Sequence, residues 1–129
     1  MNIPTNLKFA ESNEWVRVEG TLATIGISDF AQNQLSDIVF AEIIVAVEDE
    51  IGKGDTIATI ESVKAAADVY TPVSGKVVAI NERLAAAPEV INSDPYGNAW
   101  MIKIELSSTV EVDLLMDSEA YETFVQAQE

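Results

Sequence analysis

Glu61-Ser62-Val63-Lys64-Ala65-Ala66-Ala67-Asp68 is the stretch that decides how this chain is read. It sets one lysine among small and aliphatic residues between two strand-like runs, Thr56–Ile60 and Val69–Val73. Gly52-Lys53-Gly54-Asp55 punctuates the approach and Thr71-Pro72-Val73-Ser74-Gly75 the exit, so turn chemistry brackets β-branched segments on both sides. For an arbitrary lysine the plain reading is a solvated surface charge. Here the chain has only seven basic residues, and this one lies between Glu61 and Asp68 at a hairpin tip, where a covalently attached group would stand clear of the body.

Composition narrows the classes. A chain of 129 residues, 48% of them apolar, is expected to form one domain over residues 1–129 and to bury roughly two-thirds of its unfolded surface without staples. There is no cysteine, so disulfides and thiolate metal sites are excluded. With no histidine either, Ser-His and Cys-His nucleophilic pairs are excluded, which leaves only carboxylate catalysis, for instance by Glu14, Glu61 and Asp68. No run approaches a membrane span and Met1-Asn2-Ile3-Pro4-Thr5-Asn6 lacks the regions of a signal peptide, so a bacterial-like cytoplasm is expected, or a mitochondrial matrix for a processed form. The net charge of −15 repels nucleic acid and anionic membrane; it suits either solubility or steering onto basic patches of larger enzymes.

The elements are mostly β. Trp15–Glu19 and Thr21–Ile27 read as a hairpin turning at Glu19-Gly20, followed by a helix from about Asp29 to Leu35 with Ser28 as N-cap. Asp37–Val47 reads as one extended run, and Asp55–Glu61, Asp68–Val73, Gly75–Asn81 and Ala99–Leu106 as further strands. Asp117 or Ser118 caps a C-terminal helix over about residues 117–127, whose Tyr121, Phe124 and Val125 dock on the sheet. Gly-Asp-Thr-Ile-Ala-Thr-Ile before the lysine and Ser-Gly-Lys-Val-Val-Ala-Ile after it form a weak repeat, as expected of two similar sheets sandwiched together and linked through the Lys64 hairpin at about residues 55–80. Gly75 is expected in a turn of positive φ.

The run from Glu61 to Gly75 resembles the lysine hairpin of lipoyl and biotinyl carrier domains. Glu14-Trp15-Val16, Ala23 to Gln32 (Ala-Thr-Ile-Gly-Ile-Ser-Asp-Phe-Ala-Gln), Asp37-Ile38-Val39-Phe40, Pro88-Glu89-Val90-Ile91-Asn92, Asp94-Pro95-Tyr96-Gly97 and Trp100-Met101-Ile102-Lys103-Ile104 narrow the resemblance to the H protein of the glycine cleavage system, over about residues 7 to 125. The resemblance implies a mainly β fold: a flattened β-sandwich, or barrel-sandwich hybrid, of lipoyl-domain type with short peripheral helices and a C-terminal helix. It implies lipoate covalently attached to Lys64, with Glu61 and Gly75 as signals for the lipoate-attaching enzyme. Ser12, Glu14 and Asp68 match the groups that hold the cationic amine of the loaded arm in a cleft, a chemistry carboxylates suit through charge-assisted hydrogen bonds. The implied role is that of a non-catalytic monomeric shuttle with no metal, carrying the aminomethyl group from the pyridoxal-phosphate glycine decarboxylase to the tetrahydrofolate-dependent aminomethyltransferase, with dihydrolipoyl dehydrogenase reoxidising the dithiol.

Three positions depart from the family pattern. Asn13 stands where a histidine usually precedes Glu-Trp, Ala67 replaces a frequent serine, and Ala41–Ile51 lacks the usual Leu-Pro and is a residue longer. They leave open an H-like lipoate-relay or sulfur-metabolism carrier. A biotin carrier fits less well, because Val63 and Ala65 stand where methionines flank a biotinylated lysine. A lipoyl domain of a 2-oxoacid dehydrogenase would come with Ala/Pro-rich linkers, which this sequence lacks.

Overall fold

The computed structural model describes residues 2–128. Two antiparallel sheets pack face to face without closing into a barrel. The larger has six strands in the order β1 (Lys8–Phe9), β2 (Glu14–Glu19), β3 (Leu22–Ile27), β9 (Ile102–Leu106), β8 (Gly75–Ile80) and β5 (Glu50–Ile51). The smaller has three, β4 (Ile38–Ile43), β6 (Thr56–Ser62) and β7 (Ala66–Tyr70). Alternation along each strand sends one set of side chains inward. Ile25, Ile27 and Ile104 from the large sheet meet Ile57, Ile60 and Val69 from the small one in a common core.

Local chemistry places the helices. Gly20, at φ +67°, makes the β2–β3 turn, and α1 (Asp29–Leu35) begins where the Ser28 hydroxyl accepts from the Ala31 N–H at 3.1 Å. Short helices α2 (Arg83–Ala86), α3 (Val90–Ser93) and α4 (Val110–Asp113) lie at the periphery. The last helix, α5 (Ser118–Gln128), is capped by the Asp117 carboxylate, which accepts from the Ala120 N–H at 2.8 Å. Its Tyr121 stacks on Phe9 at 4.3 Å and forms, with Trp15, Phe30 and Val125, a second and more aromatic core.

Five expectations change. The strand expected over Asp68–Val73 runs over Ala66–Tyr70, starting directly after the Lys64 turn. The extended run from Asp37 ends at Ile43, because Ala46–Asp49 turns: the Asp49 carboxylate accepts from the Ala46 N–H at 2.9 Å, and Glu48 takes φ +83°. The last sheet strand begins at Ile102 rather than Ala99, although the Met101 N–H still donates to the Ile25 carbonyl at 2.8 Å. The two halves of the weak repeat do fall in different sheets, but the Lys64 hairpin joins β6 to β7 within the small sheet; the chain crosses between sheets afterwards, at 71–74. Gly75, finally, is not a turn residue of positive φ. It lies in β8 opposite Leu106 of β9, and a Cβ there would fall on the Glu105 carbonyl oxygen, so the glycine serves close strand approach.

Candidate functional site

The lysine hairpin turns through Val63 and Lys64, neither at positive φ. Its brace is Ser62. The Ser62 N–H donates to the Ala65 carbonyl at 2.7 Å, and the Ser62 hydroxyl accepts from the N–H groups of Lys64 at 3.1 Å and Ala65 at 2.9 Å. This is the serine turn chemistry that fixes a tight bend without glycine. A further bond, from the Val63 N–H to the Asp37 carbonyl at 3.0 Å, ties the tip to the start of β4. Lys64 is thus held by its backbone and exposed at its side chain, and the neighbours Ala65 and Ala66 are exposed and small.

The Lys64 ammonium does not point away from the protein. It donates to the backbone carbonyl of Gln34 at 3.2 Å, in the last turn of α1. Gln34 and Leu35 line one side of a cleft of about 190 Å³, whose other walls include Ser12, Glu14, Asp68 and Val69. Three residues far apart in sequence, Ser12, Glu14 and Asp68, therefore converge in one hollow that begins beside Lys64. A larger hollow of about 480 Å³, lined by Pro72, Leu114 and Met116, lies beyond Ser12 and holds neither carboxylate.

Glu14 is the unusual group of the cleft. Only 1% of it is exposed, yet it is a carboxylate. Ser12 Oγ donates to its Oε1, and the Tyr70 N–H of β7 donates to its Oε2 at 3.2 Å. Burial nonetheless outweighs these hydrogen bonds and pushes its pKa up to about 7. Asp68, by contrast, is exposed on β7. The pair combines an exposed carboxyl group with a buried acid poised near neutrality.

Glu61 lies on β6, exposed, between Phe40 of β4 and Ala66 of β7. Gly75 is in the other sheet, outside the hairpin. The three departures are accommodated. Asn13 takes φ +77°, a conformation asparagine adopts readily, and its side-chain oxygen accepts from the Tyr121 hydroxyl at 2.9 Å. That hydroxyl lies 2.7 Å from Ser28 Oγ, so the α1 cap, α5 and the cleft rim share one polar chain, and burial pushes the Tyr121 hydroxyl up to about 12. Ala67 faces Ile60 and is half-buried in the cleft wall.

Two contributors were not singled out by sequence. Gly26 lies opposite Trp15, whose indole covers it so closely that an added Cβ would sit 2.8 Å from the ring, while the indole N–H donates to the Pro95 carbonyl at 2.9 Å. Gln34 acts through its backbone, which no residue pattern announces. The Ser62 brace had a signal, a serine one residue before a two-residue turn.

Comparison with known proteins agrees with this arrangement. The profile described as Glycine cleavage H-protein matches residues 7–128. The chain belongs to the glycine cleavage H-protein family. It is 49% identical over 124 residues to a glycine cleavage system H protein of Carboxydothermus hydrogenoformans, covering 96% of this chain and 95% of that one. It is 47% identical over 125 residues to the H protein of Staphylococcus haemolyticus, covering 97% and 98%. A crystal structure of a glycine cleavage system H protein from Mycobacterium marinum superposes with a TM-score of 0.83 at 26% identity, covering 98% of this chain and all of that one. Proteins of the H-protein family carry lipoate on a lysine, and they are carrier components of the glycine cleavage system. Among the described residues no helix is long and apolar enough to cross a membrane.

Proposed function

We propose that this chain is the lipoyl-carrying shuttle of glycine cleavage and that Lys64 is its lipoylated residue. The observation that carries this reading is the placement of an exposed lysine on a braced hairpin tip at the mouth of a cleft containing a buried carboxyl group. The residues fit the group: the tip is accessible, the side chains beside it are small, and the cleft starts where the lysine nitrogen lies. When bound, lipoate supplies a disulfide that accepts an aminomethyl group from glycine decarboxylase and yields it to the tetrahydrofolate-dependent aminomethyltransferase, the dithiol being reoxidised by dihydrolipoyl dehydrogenase.

The rest is done by this chain's own side chains. Ser12, Glu14 and Asp68 bind a primary ammonium delivered into the cleft, Asp68 from the open side and Glu14 from within; a cation opposite Glu14 favours its ionised form, and the Ser12 and Tyr70 donors steady that anion. Glu61, exposed beside the tip, is the recognition signal for the lipoate-attaching enzyme. Gly75 contributes to recognition through the fold, by letting β8 close on β9. The protein acts as a non-catalytic monomeric carrier in the cytoplasm, with residues 1–129 working as one unit, and its −15 charge speeds encounter with basic partner surfaces.

Lys64→Arg tests the assignment. Arginine keeps the charge but is a poor acyl acceptor, so the variant folds as the wild type does and gains no lipoyl mass when co-expressed with a lipoylating enzyme. Intact mass showing the variant still modified would move the attachment to another lysine, such as Lys53 or Lys76, and end the reading.

A further inference from the structure

The wall of the cleft on the Lys64 side is the edge of a sheet. β7 is the last strand of the small sheet and, among the described residues, pairs only with β6. Backbone groups along a strand alternate in direction, and hydrogen bonds fix the phase at both ends of this strand. The Ala65 carbonyl accepts from Ser62, and the Thr71 N–H donates to Asp55, so 65, 67, 69 and 71 face the β6 side. The Tyr70 N–H points the other way, to Glu14. It follows that Ala66 and Asp68 turn their N–H and C=O groups away from β6, on the edge where Asp68 lines the cleft, and among the described residues no hydrogen bond to them is found there. Opposite this open edge stands the Gln34 carbonyl, already holding the lysine nitrogen at 3.2 Å.

We infer that this cleft binds the amide of the acylated lysine as a short added strand: the Gln34 carbonyl accepts the amide N–H at Nζ, and the Ala66 N–H donates to the amide carbonyl. The inference rests on Lys64 being the lipoylated residue and deepens that reading. Acylation removes the charge of Nζ but leaves it one N–H, enough to keep the Gln34 bond. A strand advances about 3.3 Å per residue, so Ala66, about 7 Å from Lys64, is within reach of a group one lysine side chain away, while Asp68, about 13 Å away, meets the distal part of the arm. The arm is thereby aligned by its amide before anything at its far end is recognised. The aspartate on this edge discourages pairing with a strand of another chain.

The test uses protein with ¹⁵N at lysine Nζ, lipoylated in full as judged by intact mass, with no partner enzyme present. Lipoylation creates a new Nζ–H amide signal. Its exchange with solvent is expected to be about two- to tenfold slower than in an N-acyl-lysine peptide, the factor given by one hydrogen bond of ordinary net strength. The Ala66 backbone N–H should slow by a similar factor against unmodified protein, with Ala67 and Val69 unchanged. Ala66→Pro removes the edge donor without touching the ladder to β6 and should return Nζ–H exchange toward the peptide value. Peptide-like exchange at Nζ with an unaltered Ala66 N–H in fully lipoylated wild-type protein would overturn the inference while leaving the attachment site standing. Protection of Ala66 that arises only when a partner enzyme is added would also overturn it, by assigning the edge to a partner strand. A missing mass gain at Lys64 would instead strike the attachment itself.

Discussion

Glutamine at position 14 makes the protein more stable than wild type in neutral and alkaline solution, and the size of the gain follows from burial. In the folded chain the Glu14 carboxyl titrates near 7, raised from 4.5 chiefly by burial and lowered only in part by Ser12 and Tyr70. For an acid whose folded pKa is raised, the proton is bound more tightly in the folded state. Below about pH 4.5 both states are protonated and stability is at its full value. As pH rises from about 4.5 to about 7, the unfolded chain releases a proton that the folded chain keeps, and stability falls by about 1.4 kcal/mol per pH unit, or about 3 kcal/mol in all. Above about pH 7 the loss is complete and constant. Glu14→Gln cannot ionise. Its amide nitrogen donates to Ser12 Oγ as the protonated acid would, and its oxygen accepts from the Tyr70 N–H. Urea unfolding of wild type and variant at several values between about pH 4.5 and about pH 8 should therefore show equal stability at the acid end and a variant about 3 kcal/mol more stable at the other, near 10 °C in Tm for a chain of this length. All other carboxylates cancel in the difference. A stability difference that stays flat over that range, or a Glu14 carboxyl ¹³C signal titrating at the ordinary glutamate value, would refute the claim that burial governs this group.

Other substitutions probe the supports of the site. Gly75→Val should cost about 2–4 kcal/mol in urea unfolding, because its side chain meets the β9 backbone at Glu105 rather than a flexible side chain; wild-type stability would show that β8 and β9 can part freely. Gly26→Ala should displace the Trp15 indole, lower stability by about 1–3 kcal/mol and shift tryptophan emission to the red, and an unchanged spectrum would count against the tight Trp15 contact. Tyr121→Phe should cost about 1–2 kcal/mol by stranding Asn13 and Ser28 and should raise amide exchange in α5; equal protection in both proteins would mean that stacking on Phe9 alone holds the helix.

What could be read in the sequence was local. The Lys64 turn, the Gly20 turn and the Ser28-capped helix each depend on a few adjacent residues whose turn and cap chemistry is nearly self-sufficient; the Gly20 turn and the helix stand as expected, and the Lys64 turn forms where expected but joins two strands of one sheet instead of linking the two sheets. Gly75 was misread for a complementary reason. Its flanking Pro72, Ser74 and glycine itself are turn signals, but what requires a glycine there is the carbonyl of Glu105 in a strand that arrives later in the chain. The strand expected to run from Asp37 to Val47 failed similarly: apolar composition continues past Ile43, while the Asp49 side chain, which ends it, acts from outside the apolar run.

The cleft shows why a resemblance could name its residues when their chemistry could not be derived. Glu14 and Tyr70 are 56 residues apart, and nothing adjacent to Glu14 in sequence foretells that a β7 N–H will meet its carboxylate or that nearly all of it will be buried. Burial is what distinguishes it from Asp68. A carboxylate left in water would stay ionised at neutral pH and bind a passing cation of any kind weakly. A carboxyl group held near pKa 7 is about half protonated at neutral pH, so it presents full charge only when a cation is docked against it, releasing a proton as it does so. The cost of keeping Glu14 buried, about 3 kcal/mol of stability above about pH 7, is therefore the same quantity that a docked ammonium recovers in part, and selectivity for a loaded arm over an empty one follows from that recovery.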